Sequence, residues 1–353
     1  MIILICLVNT VLQNMNKYFI GLMTGTSADA LDGCIVSFDK KFELIEAQSL
    51  ELEDSYKTDY EWSIKNGYKT IEESKTLAEL EKILNKKSIE LVNNLIKKAN
   101  LNISDISYIG FSGQTVFHTN NKSYQIGDPS LLANESRIKV ISDFRNFDIK
   151  NGGIGAPLIP VFHKYLYSEN DKKKLFFNIG GIANGTFLNN EEISLASDVG
   201  PGNCLLDLVS KKEFNTPFDS NGEEASKGKI NIELLDRLLN ESNQMQYPRA
   251  DDKKDYYKIF NDSFLEIDKN SLLRTLSEFT AAKIKDFYVF CDKPDEVIFH
   301  GGGTKNLFLM DLIRSKLNTS IKTTDNEISS KYVEAAGFAY LAYLKKGEMF
   351  EIK

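Results

Sequence analysis

The feature that most constrains the fold is a pair of short β-prone runs around a small-residue turn, and this feature occurs in both halves of the chain. In the N-terminal half, Tyr18–Met23 and Leu31–Phe38 flank the turn Thr24–Ser27. A similar pair of apolar runs flanks the turn Gly180–Gly185. Two strands joined by such a turn predict a β-hairpin whose tip exposes backbone N–H groups. The recurrence suggests a duplicated α/β unit, although the two halves share little sequence.

Helical and strand patterns fill the remainder of both halves. Leucines recur at spacings of 3, 4, 7 and 4 between Leu77 and Leu95, which predicts an amphipathic helix within Thr70–Leu101. Further strands are predicted at Phe42–Ala47, Tyr108–Phe111, Arg137–Ser142, Leu175–Ile179, Thr186–Leu188 and Glu296–His300. Further helices are predicted at Cys204–Phe214, Leu272–Phe290, Asn306–Leu317 and Tyr332–Lys345.

A length of 353 residues favours two lobes. A composition shift at the glycine-rich stretch Gly152–Gly155 places the boundary there, with lobe I at residues 15–147 plus 332–353 and lobe II at residues 148–331. In such α/β folds ligands bind near strand ends, in a cleft. Residues 1–14 form an N-terminal extension, apolar but about half the length needed to span a bilayer. Two alternatives fit this short apolar stretch: translation begins at Met15, or residues 1–14 are a buried or frayed extension.

Composition narrows the class of protein. The net charge of −7 argues against a surface that coats nucleic acid, and no stretch predicts a membrane span. The four cysteines and three histidines are scattered along the chain. This scatter argues against a structural metal or a redox pair and favours a reducing, cytoplasmic setting.

The turn of the first hairpin is a candidate phosphate loop. Glycine lets the backbone approach a phosphate, hydroxyls donate to its oxygens, and nearby carboxylates could hold Mg²⁺ through water. An ordinary hairpin turn is the alternative. The candidate residues are Gly25, Thr26, Ser27, Ala28, Asp29, Ala30, Leu31 and Asp32, with Mg²⁺ near Asp29 or Asp32.

Two further glycine turns lie in the second half, and each is a candidate anion site. A helix that begins after a glycine turn offers N–H groups and the positive end of its dipole, and a carboxylate beside such a site can accept a proton. Helix capping and a plain tight turn are the alternatives. The candidate residues are Gly180, Gly181, Asn184, the carboxylate Asp198, Gly200, Gly202, Asn203, Gly301, Gly302 and Gly303.

Polar residues after the strands of the first half suggest a substrate pocket. Gly113–Thr115 with His118, and Asp143 with Arg145, are the candidates. Arg145 could bind a carboxylate with two parallel hydrogen bonds, whereas a lone histidine such as His118 is more often structural. Together with the three glycine turns, these residues favour a nucleotide phosphate bound in a cleft between the lobes.

The motifs together resemble the anhydro-N-acetylmuramic acid kinase family, whose fold is the two-lobed, ribonuclease H-like α/β fold of actin and the sugar kinases. The resemblance runs from about Lys17 to Leu344. The motifs, in chain order, are GLMTGTSADALDG (Gly21–Gly33), GQTVFH (Gly113–His118), QIGDPSLLA (Gln125–Ala133), SDFRNFD (Ser142–Asp148), GAPLIP (Gly155–Pro160), NIGGIAN (Asn178–Asn184), DVGPGNCLLD (Asp198–Asp207), EFTAAKI (Glu278–Ile284) and GGGTKNLFLM (Gly301–Met310).

The resemblance implies a reaction of cell-wall recycling and amino-sugar metabolism. ATP phosphorylates the 6-oxygen of 1,6-anhydro-N-acetylmuramic acid as water opens its anhydro ring, which gives N-acetylmuramate 6-phosphate and ADP. It implies Asp198 as the base that also contacts the sugar, and Thr115 and Arg145 as sugar contacts. It places Gly25–Asp32 and Glu334 on the ATP side with the glycine turns, requires Mg²⁺, and suggests a homodimer.

Departures from the family pattern keep alternatives open. Ala30 stands where the family has glycine, and would be strained if that position needs positive φ. Val333 replaces a lysine before Glu334, Ser112 replaces a histidine, and Tyr247–Asp255 keeps little of the family's PKSTGRE-like segment. A kinase for another sugar, or a nucleotide-binding module without turnover, are the alternatives.

Overall fold

The structure is a computed structural model, and it describes residues 17–242, 246–251, 253–259, 264 and 266–353. The predicted extension at residues 1–14, and the predicted start at Met15, lie outside the described residues.

Strands and helices alternate along the described chain. The strands are β1 (Tyr18–Thr24), β2 (Ala30–Ser37), β3 (Glu43–Glu51), β4 (Ile106–Phe111), β5 (Gln114–Thr119), β6 (Lys122–Ile126), β7 (Val140–Ser142), β8 (Lys173–Ile179), β9 (Ile182–Asn189), β10 (Glu192–Pro201), β11 (Glu296–His300), β12 (Ser320–Thr323) and β13 (Glu348–Phe350). The helices are α1 (Asp54–Lys65), α2 (Lys75–Lys98), α3 (Pro129–Ser136), α4 (Phe144–Lys150), α5 (Pro160–Tyr167), α6 (Cys204–Val209), α7 (Glu223–Lys227), α8 (Ile232–Ser242), α9 (Lys253–Ile259), α10 (Lys269–Phe290), α11 (Leu307–Lys316) and α12 (Val333–Tyr343).

The chain divides into two compact units. Unit 1 comprises the residues up to Phe162 together with Glu334–Lys353, and unit 2 comprises His163–Val333. Residues 148–162, which the composition shift assigned to lobe II, fall in unit 1. The reason is that the glycine-rich turn packs on α4, where the N–H of Gly155 donates to Asp148 Oδ2 at 2.8 Å.

The two units contain sheets of the same design. In unit 1 the strand order is β13-β7-β4-β1-β2-β3, and in unit 2 it is β10-β9-β8-β11-β12. Each sheet has three consecutive antiparallel strands, β1–β3 in one and β8–β10 in the other. Two parallel strands then extend each sheet on the side of its first strand. This common order supports the duplication that the two hairpins suggested.

The leucine pattern of unit 1 forms the predicted amphipathic helix. In α2 the five leucines that set the pattern are at most 1% exposed. Ser74 caps the helix, since its side chain accepts a hydrogen bond from the N–H of Leu77 at 3.3 Å. The lysines between the leucines form the opposite, solvent-facing side.

Glycines let α12 pack directly on the unit 1 sheet. A Cβ added to Gly21 in β1 would lie 1.8 Å from the carbonyl oxygen of Ala335. A Cβ added to Gly110 in β4 would lie 2.2 Å from the carbonyl oxygen of Phe338. Neither strand position therefore tolerates a side chain while the helix keeps its place.

The core of unit 2 forms between its sheet and the long helix α10. The rings of Phe177 and Phe299 stack at 5.2 Å, and Phe287 of α10 meets Phe177 edge-on at 5.9 Å. His163 and His300 are also buried, and their Nε2 atoms lie 3.0 Å apart. Burial lowers the pKa of both rings, so they pair as neutral groups, in agreement with the structural role expected for lone histidines.

Several predicted boundaries are wrong, and particular residues explain three of them. The strand predicted from Arg137 begins at Val140, because Arg137 ends α3 in the left-handed conformation (φ 59°). The turn predicted at Gly180–Gly185 closes at Gly181, and β9 begins at Ile182. The glycine at 185 serves packing, since a Cβ there would lie 2.4 Å from the Phe287 ring. The helix predicted at Cys204–Phe214 ends at Val209, and a π-helical turn follows it.

Candidate active site

Asp198 lies near the end of β10, at an irregularity in the ladder with β9. Asp198 pairs with Asn184, whereas Gly200 pairs with Ala183, so the register shifts between them. Such bulges re-aim side chains and are common beside active sites. The Asp198 side chain is half-buried, and its Oδ2 accepts the main-chain N–H of Asp251 at 2.7 Å. Asp198 and Gly200 were expected in a turn before a helix, and they are strand residues instead.

The segment that departs from the family pattern lies against this strand. The N–H of Asp198 donates to the Arg249 carbonyl at 2.9 Å. The N–H of Arg249 donates to Ser197 Oγ, also at 2.9 Å, and Ser197 is fully buried. The segment therefore belongs to the surroundings of Asp198, which the sequence did not indicate. Of the predicted segment Tyr247–Asp255, residue 252 and the side chains of residues 254 and 255 lie outside the described part of the chain.

In unit 2, the turn at Gly180–Gly181 and the turn at residues 202–204 are hydrogen-bonded to each other. The N–H groups of Gly202 and Cys204 donate to the carbonyl of Gly181, each at 3.0 Å, and that of Asn203 donates to Gly180 at 2.8 Å. The sequence predicted free N–H groups here, and for these three residues that expectation is wrong. The turns come close because Gly202 lacks a Cβ, which would lie 2.2 Å from the Gly180 carbonyl oxygen.

A lysine supplies positive charge at this turn. The side chain of Lys253, in the first turn of α9, lies over Gly181, where a Cβ would be 2.7 Å from Nζ. The charge also acts on Cys204: burial raises the pKa of its thiol to about 12, and Lys253 opposes that rise. Lys253 was not predicted as a site residue, because it lies in Tyr247–Asp255, which keeps little of the family pattern. The one signal in the sequence was its positive charge.

The three glycines after β11 have different roles. A Cβ at Gly301 (φ 89°) would lie 2.2 Å from Asn178 Oδ1, and one at Gly303 would lie 2.2 Å from Ile179 Cγ2. Both are therefore required by packing against the end of β8. A Cβ at Gly302 would meet no atom within 4 Å. Gly302 is the member of the run whose surroundings leave room for a ligand.

In unit 1, a buried amide organises the candidate phosphate loop. Gln114 is fully buried; its Nε2 donates to the Gly25 carbonyl at 2.9 Å, and its Oε1 accepts from Thr24 Oγ1 at 2.8 Å. The turn closes with the N–H of Ala28 donating to the same Gly25 carbonyl at 3.1 Å. The sequence placed Gln114 among the candidates for a substrate pocket, whereas its side-chain amide bonds to the candidate phosphate loop. Its two hydrogen bonds show how β5 holds the loop.

The positive φ of this loop falls at Ala28 (51°) and not at Ala30. Ala30 is the first residue of β2, where it pairs with Glu51 of β3. The strain considered for Ala30 is therefore absent. At the tip of the loop, Ser27 Oγ donates to the Asp29 carboxylate, so the loop presents a hydroxyl and a carboxylate side by side.

The two polar clusters predicted after β4 and β7 come together. Arg145, in the first turn of α4, donates from Nη1 to the Gly155 carbonyl at 2.9 Å. A Cβ at Gly155 would lie 2.9 Å from His118 Cε1, so His118 is next to this turn. Burial, followed by the charge of Arg145, lowers the pKa of His118. Thr115 lies in the same hairpin, and its carbonyl accepts from Tyr60 Oη at 2.5 Å.

A charged group links Arg145 to α12. Glu334 is the second residue of α12, and its side chain is partly buried. This burial raises the pKa of Glu334 to about 7; Arg145 opposes the rise, and Asp32 of β2 adds to it. The resemblance placed Glu334 with ATP and Arg145 with the sugar, and the structure brings the two residues into one electrostatic cluster.

The carboxylates of the phosphate loop suit a water-bound Mg²⁺. Asp29 is exposed and Asp32 half-buried, and Mg²⁺ commonly binds one or two carboxylates plus phosphate and water. Within the described residues, no group of three or more His, Cys, Asp and Glu side chains is arranged to hold a metal. A protein-only metal centre is therefore not built from those residues. Among the helices described here, none combines the length and the apolar character needed to cross a membrane.

Comparisons with known proteins agree with the sheet topology. Two solved structures cover nearly the whole chain. The activator of the 2-hydroxyisocaproyl-CoA dehydratase from Clostridium difficile, with bound ADPNP, has a TM-score of 0.50 and 13% identity over 93% of this chain and 95% of that one. Component A of the (R)-2-hydroxyglutaryl-CoA dehydratase of Acidaminococcus fermentans has a TM-score of 0.51 and 12% identity over 94% and 99%. Identities this low support the fold alone, which is the predicted two-lobed α/β fold of the actin and sugar kinase class.

Sequence comparisons are more specific. An anhydro-N-acetylmuramic acid kinase of Shewanella putrefaciens (strain CN-32 / ATCC BAA-453) is 35% identical, over 93% of this chain and 91% of its own length. That of Shewanella sp. (strain ANA-3) is 36% identical, over 93% and 92%. The model of the family "Anhydro-N-acetylmuramic acid kinase" matches residues 17–349. The chain therefore belongs to the anhydro-N-acetylmuramic acid kinase family.

Proposed function

We propose that this chain opens the 1,6-anhydro ring of anhydro-N-acetylmuramic acid with water and phosphorylates the freed 6-oxygen with ATP. The products are N-acetylmuramate 6-phosphate and ADP, in cell-wall recycling. The observation that carries the proposal is the half-buried Asp198 carboxylate, fixed by a main-chain N–H at a strand bulge beside two glycine turns. A fixed carboxylate is suited to accept a proton from a positioned water.

In this mechanism Asp198 takes the proton of the water that attacks the anomeric carbon. The bond between that carbon and the 6-oxygen breaks, and the 6-oxygen attacks the γ-phosphorus as the bond to ADP breaks. Arg145 and Thr115 hold the sugar, while the turn Gly25–Asp32, Lys253 and Gly302 bind the phosphates. Positioning and charge stabilisation supply most of the catalysis in phosphoryl transfer.

Mg²⁺ would neutralise charge on the transferred phosphate, and Asp29 and Asp32 would hold it. The carboxylate of Asp29 is already oriented by Ser27. We also propose that the enzyme works in the cytoplasm as a homodimer; sedimentation equilibrium of the purified protein tests the dimer.

The decisive experiment measures ADP release with ATP, Mg²⁺ and the anhydro-sugar. We expect ADP only when the sugar is present, and phosphate on its 6-oxygen. Asp198→Asn should bind both substrates but lose about 10³-fold in kcat. Asp292→Asn is the matched control, because Asp292 is exposed and pairs with Lys173.

Three outcomes would contradict the proposal. ATP binding without sugar-dependent ADP would indicate a nucleotide-binding module. Turnover with another sugar in a panel, but not with this one, would indicate a different sugar kinase. Near-normal turnover of Asp198→Asn would assign the base to another residue.

A further inference from the structure

The hydrogen bond that fixes Asp198 comes from a residue that is itself tied down. Asp251, whose N–H reaches Asp198 Oδ2 at 2.7 Å, accepts from Arg249 Nε at 2.9 Å on one carboxylate oxygen and 3.1 Å on the other. Tyr256 Oη donates to the same carboxylate. The side chains of Arg249 and Asp251 are only 10% and 7% exposed. This ion pair is therefore largely shielded from water.

Arg249 also forms two hydrogen bonds to the strand that carries Asp198. Its carbonyl accepts the N–H of Asp198 at 2.9 Å, and its Nη2 donates to the carbonyl of Val199. The guanidinium lies over the ring of Tyr247, 5.0 Å from its centroid. A planar guanidinium held by directional bonds and a stacked ring has little freedom to move.

We propose that Arg249 and Asp251 are positioning residues for Asp198: their buried ion pair places the Asp251 N–H and so fixes the catalytic carboxylate. This inference rests on the proposed function, in which Asp198 is the base. Their side chains act through Asp198 and need not touch either substrate. A displacement of about 1 Å in a reacting group can lower a rate by about 10²-fold.

The charges around Asp198 determine how its titration responds to substitution. Arg249 and Asp251 face Asp198 from the segment of residues 247–251. Lys283 of α10 packs against Gly200, and Lys253 lies over the neighbouring turn at Gly181. Among the described side chains of this segment, Tyr247 and Tyr256 are further titratable groups, and burial raises the pKa of both. Lys283 is paired with Asp286 at 3.4 Å. The pair of opposite charges, Arg249 and Asp251, can be removed one at a time or together.

The test compares Arg249→Gln, Asp251→Asn and the double variant in sugar-dependent ADP release. For Arg249→Gln we expect kcat to fall about 10- to 100-fold, with both KM values within about threefold of wild type. The acid limb of its kcat–pH profile should move to higher pH, because Asp251 is left as an uncompensated negative charge near the base. Asp251→Asn should move the limb to lower pH, since Arg249 is left positive. The double variant should return the limb toward wild type while kcat stays low.

A second measurement does not depend on activity. Amide hydrogen exchange in the peptide that contains residues 247–251 should become at least about tenfold faster in Arg249→Gln. The reason is that this segment loses the hydrogen bonds of the Arg249 side chain to Asp251 and to Val199. Arg274→Gln is the matched control: Arg274 is a partly buried arginine of unit 2, paired with Glu278 at 3.6 Å. It should leave kcat, the pH profile and this exchange unchanged.

The outcomes separate the two proposals. If wild type shows no sugar-dependent turnover, the proposed function fails, and the positioning role is judged on exchange alone. Unchanged exchange in Arg249→Gln overturns the positioning role in every case. With an active wild type, normal kcat in Arg249→Gln, or a fall in kcat with an unmoved acid limb in both single variants, also overturns it.

Discussion

At the residue scale, single side chains explain which site residues could be predicted from the sequence and which could not. Asp198 could be identified as a candidate base because a carboxylate next to a glycine turn is a local signal. Arg249 could not, since its partners Val199 and Asp251 are set by how the segment folds back on β10. Glu334 was assigned to a ligand by resemblance, but the burial of its carboxyl is a property that only the packed structure reveals.

Glu334 should make the stability of unit 1 depend on pH. The pKa of Glu334 is about 7 in the folded state and lower in the unfolded chain. Between these two pKa values the folded state therefore keeps a proton on Glu334 that the unfolded state releases. Stability is therefore greatest below the unfolded pKa and falls as pH rises through 7. Relative to wild type, Glu334→Gln should gain about 2 kcal/mol of unfolding free energy between pH 5 and pH 8.

Urea unfolding followed by the fluorescence of Trp62 measures this change, because Trp62 is the single tryptophan and lies in unit 1. Glu43→Gln is the control, since Glu43 is exposed and only loosely paired with Lys41. A difference between Glu334→Gln and wild type that stays constant with pH would show that the carboxyl is not buried as described.

At the element scale, glycines were the least reliable guide. The sequence treated them as turn signals, and Gly25, Gly180 and Gly181 do lie in turns. Gly21 and Gly110 instead lie inside strands, where they admit α12. When a glycine packs against a helix that is distant in the sequence, the residues around that glycine do not indicate the contact. Periodicity was more reliable: the leucine spacing of α2 identified both the helix and its buried face, because helix geometry alone fixes which residues share a side.

Replacing Gly21 with alanine should destabilise unit 1 by about 3 kcal/mol, because overpacking of this size forces backbone shifts. The added Cβ would lie 1.8 Å from the Ala335 carbonyl oxygen and 2.9 Å from the Ala339 nitrogen. Urea unfolding monitored through Trp62 again supplies the measurement. The matched control is Gly25→Ala, whose Cβ would make ordinary contacts at 3.7 and 3.8 Å. Equal stability of the two variants would mean that α12 packs less closely than described.

At the scale of the whole molecule, the repeated sheet design was predictable in outline. Two hairpins of similar pattern indicated two related units, and the shared strand order agrees with them. The prediction returned the chain to lobe I at residue 332, and unit 1 regains the chain at Glu334. The first division was predicted before residue 148 and falls after Phe162, because the glycine-rich turn packs on α4 through the hydrogen bond between Gly155 and Asp148. That contact depends on how the turn folds back on the helix, which a shift in composition does not encode.

Ligand binding should stabilise the whole protein by mass action. At about 100 times its dissociation constant, a non-hydrolysable ATP analogue with Mg²⁺ should add about 2.7 kcal/mol to the unfolding free energy. We expect the same gain in Asp198→Asn, because the role proposed for this carboxylate is in the chemical step and the substitution leaves the proposed nucleotide contacts in place. Thermal unfolding followed by circular dichroism measures the shift, with inorganic phosphate at the same concentration as the control. A gain confined to wild type would place Asp198 among the nucleotide contacts.

The mutual hydrogen bonds between the turn at Gly180–Gly181 and residues 202–204 have a consequence for affinity. They join main-chain groups about twenty residues apart in the sequence, so the entropy of ordering both loops is lost when the protein folds. Under the proposed function, a nucleotide that binds beside these turns would spend none of its interaction energy on ordering that backbone.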